Sequence, residues 1–110
     1  MSDVIDYKMP SYAELEGAPA EGFALQVAPG QYVQVERVAL RVGVAMNADY
    51  ECYAAIFALP QGVVLPQAVF RLRGPAVQAQ EWVLLMTPTQ PEPDGRHALE
   101  AVIHRLRHAA

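Results

Sequence analysis

From Phe23 onward, apolar and polar positions alternate with a period of two. Phe23, Leu25 and Val27 are separated by Ala24 and Gln26, which predicts a strand ending at the Ala28-Pro29-Gly30-Gln31 turn. The next run slips phase: Val33 and Val35 fall on one face, Val38, Leu40 and Val42 on the other. One extra residue at Glu36-Arg37 keeps these side chains on a single apolar face and predicts a β-bulge there; a strand buried on both faces is the alternative. Tyr50 to Ala58 is rich in aromatic and apolar residues, suited to a central strand covered on both sides. Pro60, Gly62 and Pro66 make Leu59 to Gln67 a loop. Ala68, Phe70 and Leu72 then alternate with Val69, Arg71 and Arg73, and Gly74-Pro75 turns the chain. Trp82, Leu84 and Met86 continue the alternation, and the prolines between Thr87 and Gly95 predict an exposed loop.

Both ends read differently. Pro10 to Gly17 predicts one helical turn, with Ser11 accepting from the Glu14 N–H and the Glu14 carboxylate accepting from the Ser11 N–H. Gly17 is expected to supply a left-handed stop. So short a turn holds only when docked, so Tyr12 and Leu15 are expected to touch the core. At the other end, Leu99, Val102, Ile103 and Leu106 fit a helix, while Leu99, Ala101 and Ile103 equally fit a strand. The pattern leaves both open.

Five clear strands are joined by short connections without a crossover helix, so the pairing is expected to be antiparallel. Apolar edges favour closure into a small barrel or a two-layer sandwich. The expected core is Phe23, Leu25, Val35, Val38, Leu40, Ile56, Phe57, Phe70, Leu72, Trp82, Leu84 and Ile103.

Composition narrows the classes. The chain has 110 residues, 53% of them hydrophobic and 18% charged, which fits one globular domain and excludes a disordered chain. We divide it into a flexible leader (1–10), a single domain (11–106) and a tail (107–110). A net charge of −4 argues against a nucleic-acid partner. No apolar run reaches the roughly 18 residues of a membrane span. Cys52 stands alone, so no intramolecular disulfide or cysteine-based zinc site can form, and a reducing compartment is expected. The acidic start does not resemble a signal peptide, which makes the cytoplasm the expected location.

Chemistry is sparse. Cys52 falls in a strand, where a small buried hydrophobe explains it better than a nucleophile paired with His97 or His104. On a strand, His104 and His108 stand about 13 Å apart, too far for one metal ion. Asp94-Gly95 sits among prolines rather than alternating oxygen ligands, so it is read as a turn. Glu51 and Glu81 are expected on outward strand faces, and Arg71, Arg73, Arg105 and Arg107 on solvated ones. No catalytic residue, cofactor or metal ligand is therefore assigned.

These segments together resemble an uncharacterised bacterial family of small all-β domains, a domain of unknown function. The likeness runs through the helical turn ending in Gly17, Phe23-Ala24-Leu25, Tyr53-Ala54-Ala55-Ile56-Phe57, Leu65 to Leu72, Trp82 to Pro88 and Leu99 to Arg105. It implies a final strand over 98–105, and hence an all-β fold of about six strands with a short N-terminal helical turn. It also implies association with fibre proteins of the phage-tail-collar type. The expected function is a non-enzymatic interaction module, an accessory or assembly factor for such a fibre. A small-ligand-binding barrel is the alternative. The expected partner is a protein or a second copy, with apolar Val63, Val64 and Leu65 as the candidate contact.

Overall fold

Alternation becomes ladder pairing almost wherever it was read. The computed structural model describes residues 8–45, 47–75 and 80–106. One helical turn, α1 (Tyr12–Glu16), precedes six strands: β1 (Phe23–Ala28), β2 (Gln31–Val42), β3 (Tyr50–Ala58), β4 (Ala68–Arg73), β5 (Glu81–Thr89) and β6 (Ala98–Leu106). Every pairing is antiparallel. The order β1-β2-β3-β6-β5-β4 returns from β4 to β1, closing a barrel. The final segment is a strand, as the resemblance implied. The readings of residues 1–7, Arg107, His108 and the tail lie outside the described residues.

Two strands turn corners to close the barrel. The first half of β2 pairs with β1 and the second half with β3. In the same way β5 pairs with β4 over Glu81 to Met86, then with β6 through Thr87, Pro88 and Thr89 alone. The β2 corner carries the bulge, one residue later than expected. Arg37 pairs with Phe57 and Ala39 with Ile56, so Val38 is the inserted residue. Val38 is therefore only half-buried and leaves the predicted core, while Leu40 still packs against it.

Thr87-Pro88-Thr89 is strand rather than loop. A proline tolerates this place because of ladder parity. The Gly43 N–H donates to the Cys52 carbonyl at 2.8 Å and the Leu59 N–H to the His97 carbonyl at 2.8 Å. On β3, then, even residues present their backbone to β2 and odd residues to β6. Leu99, opposite Phe57, spends its backbone on β3, so Pro88 opposite Leu99 has no ladder bond to donate.

The interior is filled. Phe23, Leu25, Val35, Tyr53, Ala55, Phe57, Phe70, Leu72, Trp82, Leu84, Met86, Leu99, Ala101 and Ile103 join one buried cluster. Phe23 meets Phe57 edge-on, with ring centroids 5.4 Å apart. Ile56 is buried as expected but on the outer face, where it shares a cavity wall with Thr89, Gln90, Pro91 and Glu92. The connection bearing those residues is tied down by Arg96, whose guanidinium reaches Glu36 at 2.8 Å and Asp94 at 2.7 Å.

The helical turn forms as its sequence predicts and ends differently. Ser11 Oγ accepts from the Glu14 N–H at 3.0 Å, and Glu14 Oε1 accepts from the Ser11 N–H at 2.8 Å. Leu15 is fully buried, and Tyr12 packs on the core. Gly17, however, has φ −76° and is right-handed, not the left-handed stop expected. Its lack of a side chain matters for space, since a Cβ there would lie 3.2 Å from the Ala13 carbonyl oxygen. Two carbonyls at this end, those of Leu15 and Ala18, accept instead from the guanidinium of Arg37.

Candidate functional site

The short β5–β6 ladder leaves a seam. Beyond Glu100, β6 pairs with β3 only, among the described residues, and β5 before Thr87 pairs with β4 and a single residue, Lys8. Lys8 and Val83 exchange both backbone hydrogen bonds, at 3.2 and 2.9 Å. An extended residue is thus already seated along one wall of the seam. On the other wall, parity assigns the backbone N–H and C=O of Val102, His104 and Leu106 to the side away from β3. The same three side chains point outward from the barrel. Val102 is 64% exposed and Leu106 59%. His104 stacks on Tyr50, with ring centroids 5.1 Å apart.

Polar side chains close the barrel mouth beside this edge. Glu51 shares the inward phase of Tyr53, Ala55 and Phe57, which corrects its expected outward placement. Its partner across the ladder is Arg105, which shares the inward phase of Leu99, Ala101 and Ile103. The two make an ion pair at 2.9 Å, with side chains 14% and 26% exposed. Glu51 Oε2 also accepts from the Tyr12 N–H at 3.2 Å. Period two, carried one step past Tyr53 and Ile103, was the signal that placed both residues inside.

Tyr53 lies deeper. Its hydroxyl donates to the Pro10 carbonyl at 2.7 Å, and its ring meets Tyr12 edge-on at 5.4 Å. Burial, followed by the nearby Glu51 charge, pushes the phenol well above its ordinary value of 10.0. The folded state then keeps this proton at pH values where the unfolded chain releases it. The stabilisation is complete below about pH 10 and is lost as pH rises beyond it. Tyr53→Phe is therefore expected to lose about 1 kcal/mol at pH 8, where the hydroxyl bond is missing. Urea titrations should show the gap to wild type shrinking above pH 10; a constant gap excludes Tyr53 as the alkaline-sensitive group.

Tyr12, Val42, Gly43, Ala45, Glu51, Cys52 and Tyr53 line a mouth cavity of about 190 Å³. Cys52 is half-buried, and the register sets it opposite His104, whose ring is occupied with Tyr50. His97 is at the far end of β6, beside Leu59. Among the described residues, no group of three or more His, Cys, Asp and Glu side chains could hold a metal, and no helix is long and apolar enough to cross a membrane. The arginines are not gathered into one patch. Arg71 pairs with Glu81 at 3.1 Å, Arg73 lies over the Tyr32 ring at 4.2 Å, and Arg105 turns inward. Of the predicted contact residues, Val63 and Leu65 are half-buried against the core, whereas Val64 is 66% exposed.

Residues 10–103 match the model of a family described as a domain of unknown function (DUF6916). The chain belongs to this family. The matched span opens at Pro10, the acceptor of the Tyr53 hydroxyl, and closes at Ile103, taking in α1, β1 to β5 and β6 as far as Ile103. No curated protein and no solved structure matches the chain.

Proposed function

We propose that this domain is a non-enzymatic interaction module that contacts a protein partner through the outward face of β6. The observation that carries the reading is the pair of outward apolar side chains on β6, Val102 and Leu106, left exposed on a domain whose interior is already filled. The filled barrel interior favours this reading over a small-ligand carrier. The sparse polar inventory favours it over catalysis, since the His104 ring opposite Cys52 is stacked on Tyr50. In this role the domain acts as an accessory or assembly factor for a fibre-like protein of the phage-tail-collar type.

The test uses a variant that changes this face and spares the barrel. Val102 points away from the core, so Val102→Lys places a charge at the contact without disturbing the interior. Calorimetric titration with a purified phage-tail-collar-type fibre protein should show binding by wild type and about tenfold or weaker binding by Val102→Lys. Equal affinities, or no binding by wild type, reject the reading.

A further inference from the structure

A second cavity lies outside the barrel, and Val102 and Leu106 take no part in its lining. Its volume is about 360 Å³, within the range of small-molecule sites, and its walls are Arg41, Ile56, Thr89, Gln90, Pro91 and Glu92. Three strands and a loop bring these together. Arg41 stands on β2 opposite Ala54, and Ile56 follows two residues later on β3, so both belong to the outer face. Thr89 ends β5, and Gln90, Pro91 and Glu92 begin the connection to β6.

That connection is a fixed wall. The Glu92 N–H donates to the Arg96 carbonyl at 2.9 Å, and the Gly95 N–H to the Glu92 carbonyl at 2.8 Å. The Gln61 side-chain amide donates to the Asp94 carbonyl at 2.9 Å, and Arg96 reaches across to Glu36 on β2. A ligand therefore meets a loop already ordered, and binding loses little to immobilising it.

The two charges of the cavity are unspent. Among the described residues, Arg37, Arg71, Arg73, Arg96 and Arg105 each hold a carbonyl, a carboxylate or a tyrosine. Arg41 alone of the described arginines holds none, and the Glu92 carboxylate accepts from no described donor. Nor do the two pair with each other. We infer that this cavity binds a free α-amino acid with a small apolar side chain, Arg41 taking its carboxylate and Glu92 its ammonium group. A lone anion meets the Glu92 charge, and a lone cation meets that of Arg41. An uncharged molecule leaves both without a partner. A small zwitterion satisfies the two at once, while the Thr89 hydroxyl and the Gln90 amide remain for its other polar atoms. Ile56 and Pro91 supply the apolar surface for the side chain. Arg41 is exposed and Glu92 half-buried, so water competes for both and the affinity is expected to be millimolar.

Amide-resolved NMR titration of the full chain with L-valine, at constant ionic strength, tests the inference. Wild type should bind with shifts concentrated at the Arg41, Ile56, Gln90 and Glu92 amides. Isovalerate is valine without its ammonium group, and isobutylamine is valine without its carboxylate. Each should bind about tenfold or more weakly, and glycine several-fold more weakly for want of contact with Ile56 and Pro91. Arg41→Gln and Glu92→Gln should each weaken valine about tenfold and reverse the analogues: Glu92→Gln takes isovalerate better than wild type does, and Arg41→Gln takes isobutylamine better. Neither side chain holds another described residue, so both variants should keep the wild-type far-ultraviolet dichroism. Should either misfold, the analogue series on wild type decides alone. No shifts at tens of millimolar valine, shifts away from the cavity, valine no tighter than either analogue or than glycine, or binding indifferent to either substitution overturns the inference.

Discussion

Phe57→Ala should destabilise the domain by about 3–5 kcal/mol, the range for removing a fully buried aromatic side chain. Phe57 has no exposed surface and faces inward from the middle of the barrel, opposite Leu99 on β6 and Arg37 on β2. Its ring also contributes an edge-on contact with Phe23 across the interior, at 5.4 Å, which alanine cannot replace. The barrel closes through ladders on both sides of β3, so neighbouring strands cannot collapse far into the space left behind. Val64→Ala is the contrast. Val64 is equally apolar and lies in the loop before β4, but it is exposed, so its truncation should fall within about 0.5 kcal/mol of wild type. Urea midpoints at constant slope measure both. A loss below about 1 kcal/mol at Phe57 means that the interior is not the packed centre described above.

Most of the barrel was legible because its strands obey one rule for long stretches. Tyr50 to Ala58 was delimited to the residue by its aromatic and apolar run, and Ala68 to Arg73 by period two, with prolines and glycines beyond them. The rule failed where the chain turns a corner. At Glu36 to Leu40 the phase slip revealed that a residue was inserted but not which one. Choosing Val38 rather than the preceding pair decides that Arg37, and not an aliphatic residue, faces inward. At Thr87 to Thr89 the prolines argued for loop, and only the hydrogen-bonding parity of β6 shows why Pro88 costs no ladder bond there. Glu51 and Arg105 were misread for another reason. Charged residues are ordinarily placed outside, but here each neutralises the other at the mouth, where water still reaches both. The seam between β5 and β6 could not be read from any single segment. It arises because β5 reaches β6 through three residues only, a property of the closed arrangement rather than of either strand.

Arg37 links the bulge to the helical turn, and Arg37→Ala should cost about 2–3 kcal/mol through the loss of two charge-assisted hydrogen bonds. One guanidinium nitrogen serves both the Leu15 and the Ala18 carbonyls, the latter at 2.7 Å. These carbonyls close the C-terminal end of α1, where the backbone has acceptors to spare and positive charge is favoured. Without the guanidinium the turn keeps the burial of Leu15 but loses the clasp at its C-terminal end, and five residues cannot sustain a helix by their own hydrogen bonds. The main-chain N–H of residue 37 donates to the Ala20 carbonyl at 2.8 Å and is untouched by the substitution, so the segment beyond the turn stays attached. The damage should therefore be local. Amide exchange at Leu15 and Gly17 should accelerate at least about tenfold more than at Ala55 and Leu72 in the barrel, which speed up only with the loss of global stability. Arg37→Lys keeps the charge on a longer-hydrated point donor without the planar fork, and it should recover less than half of the loss. Full recovery by lysine, or uniform acceleration across barrel and turn alike, excludes the guanidinium as the clasp that holds α1 over the barrel.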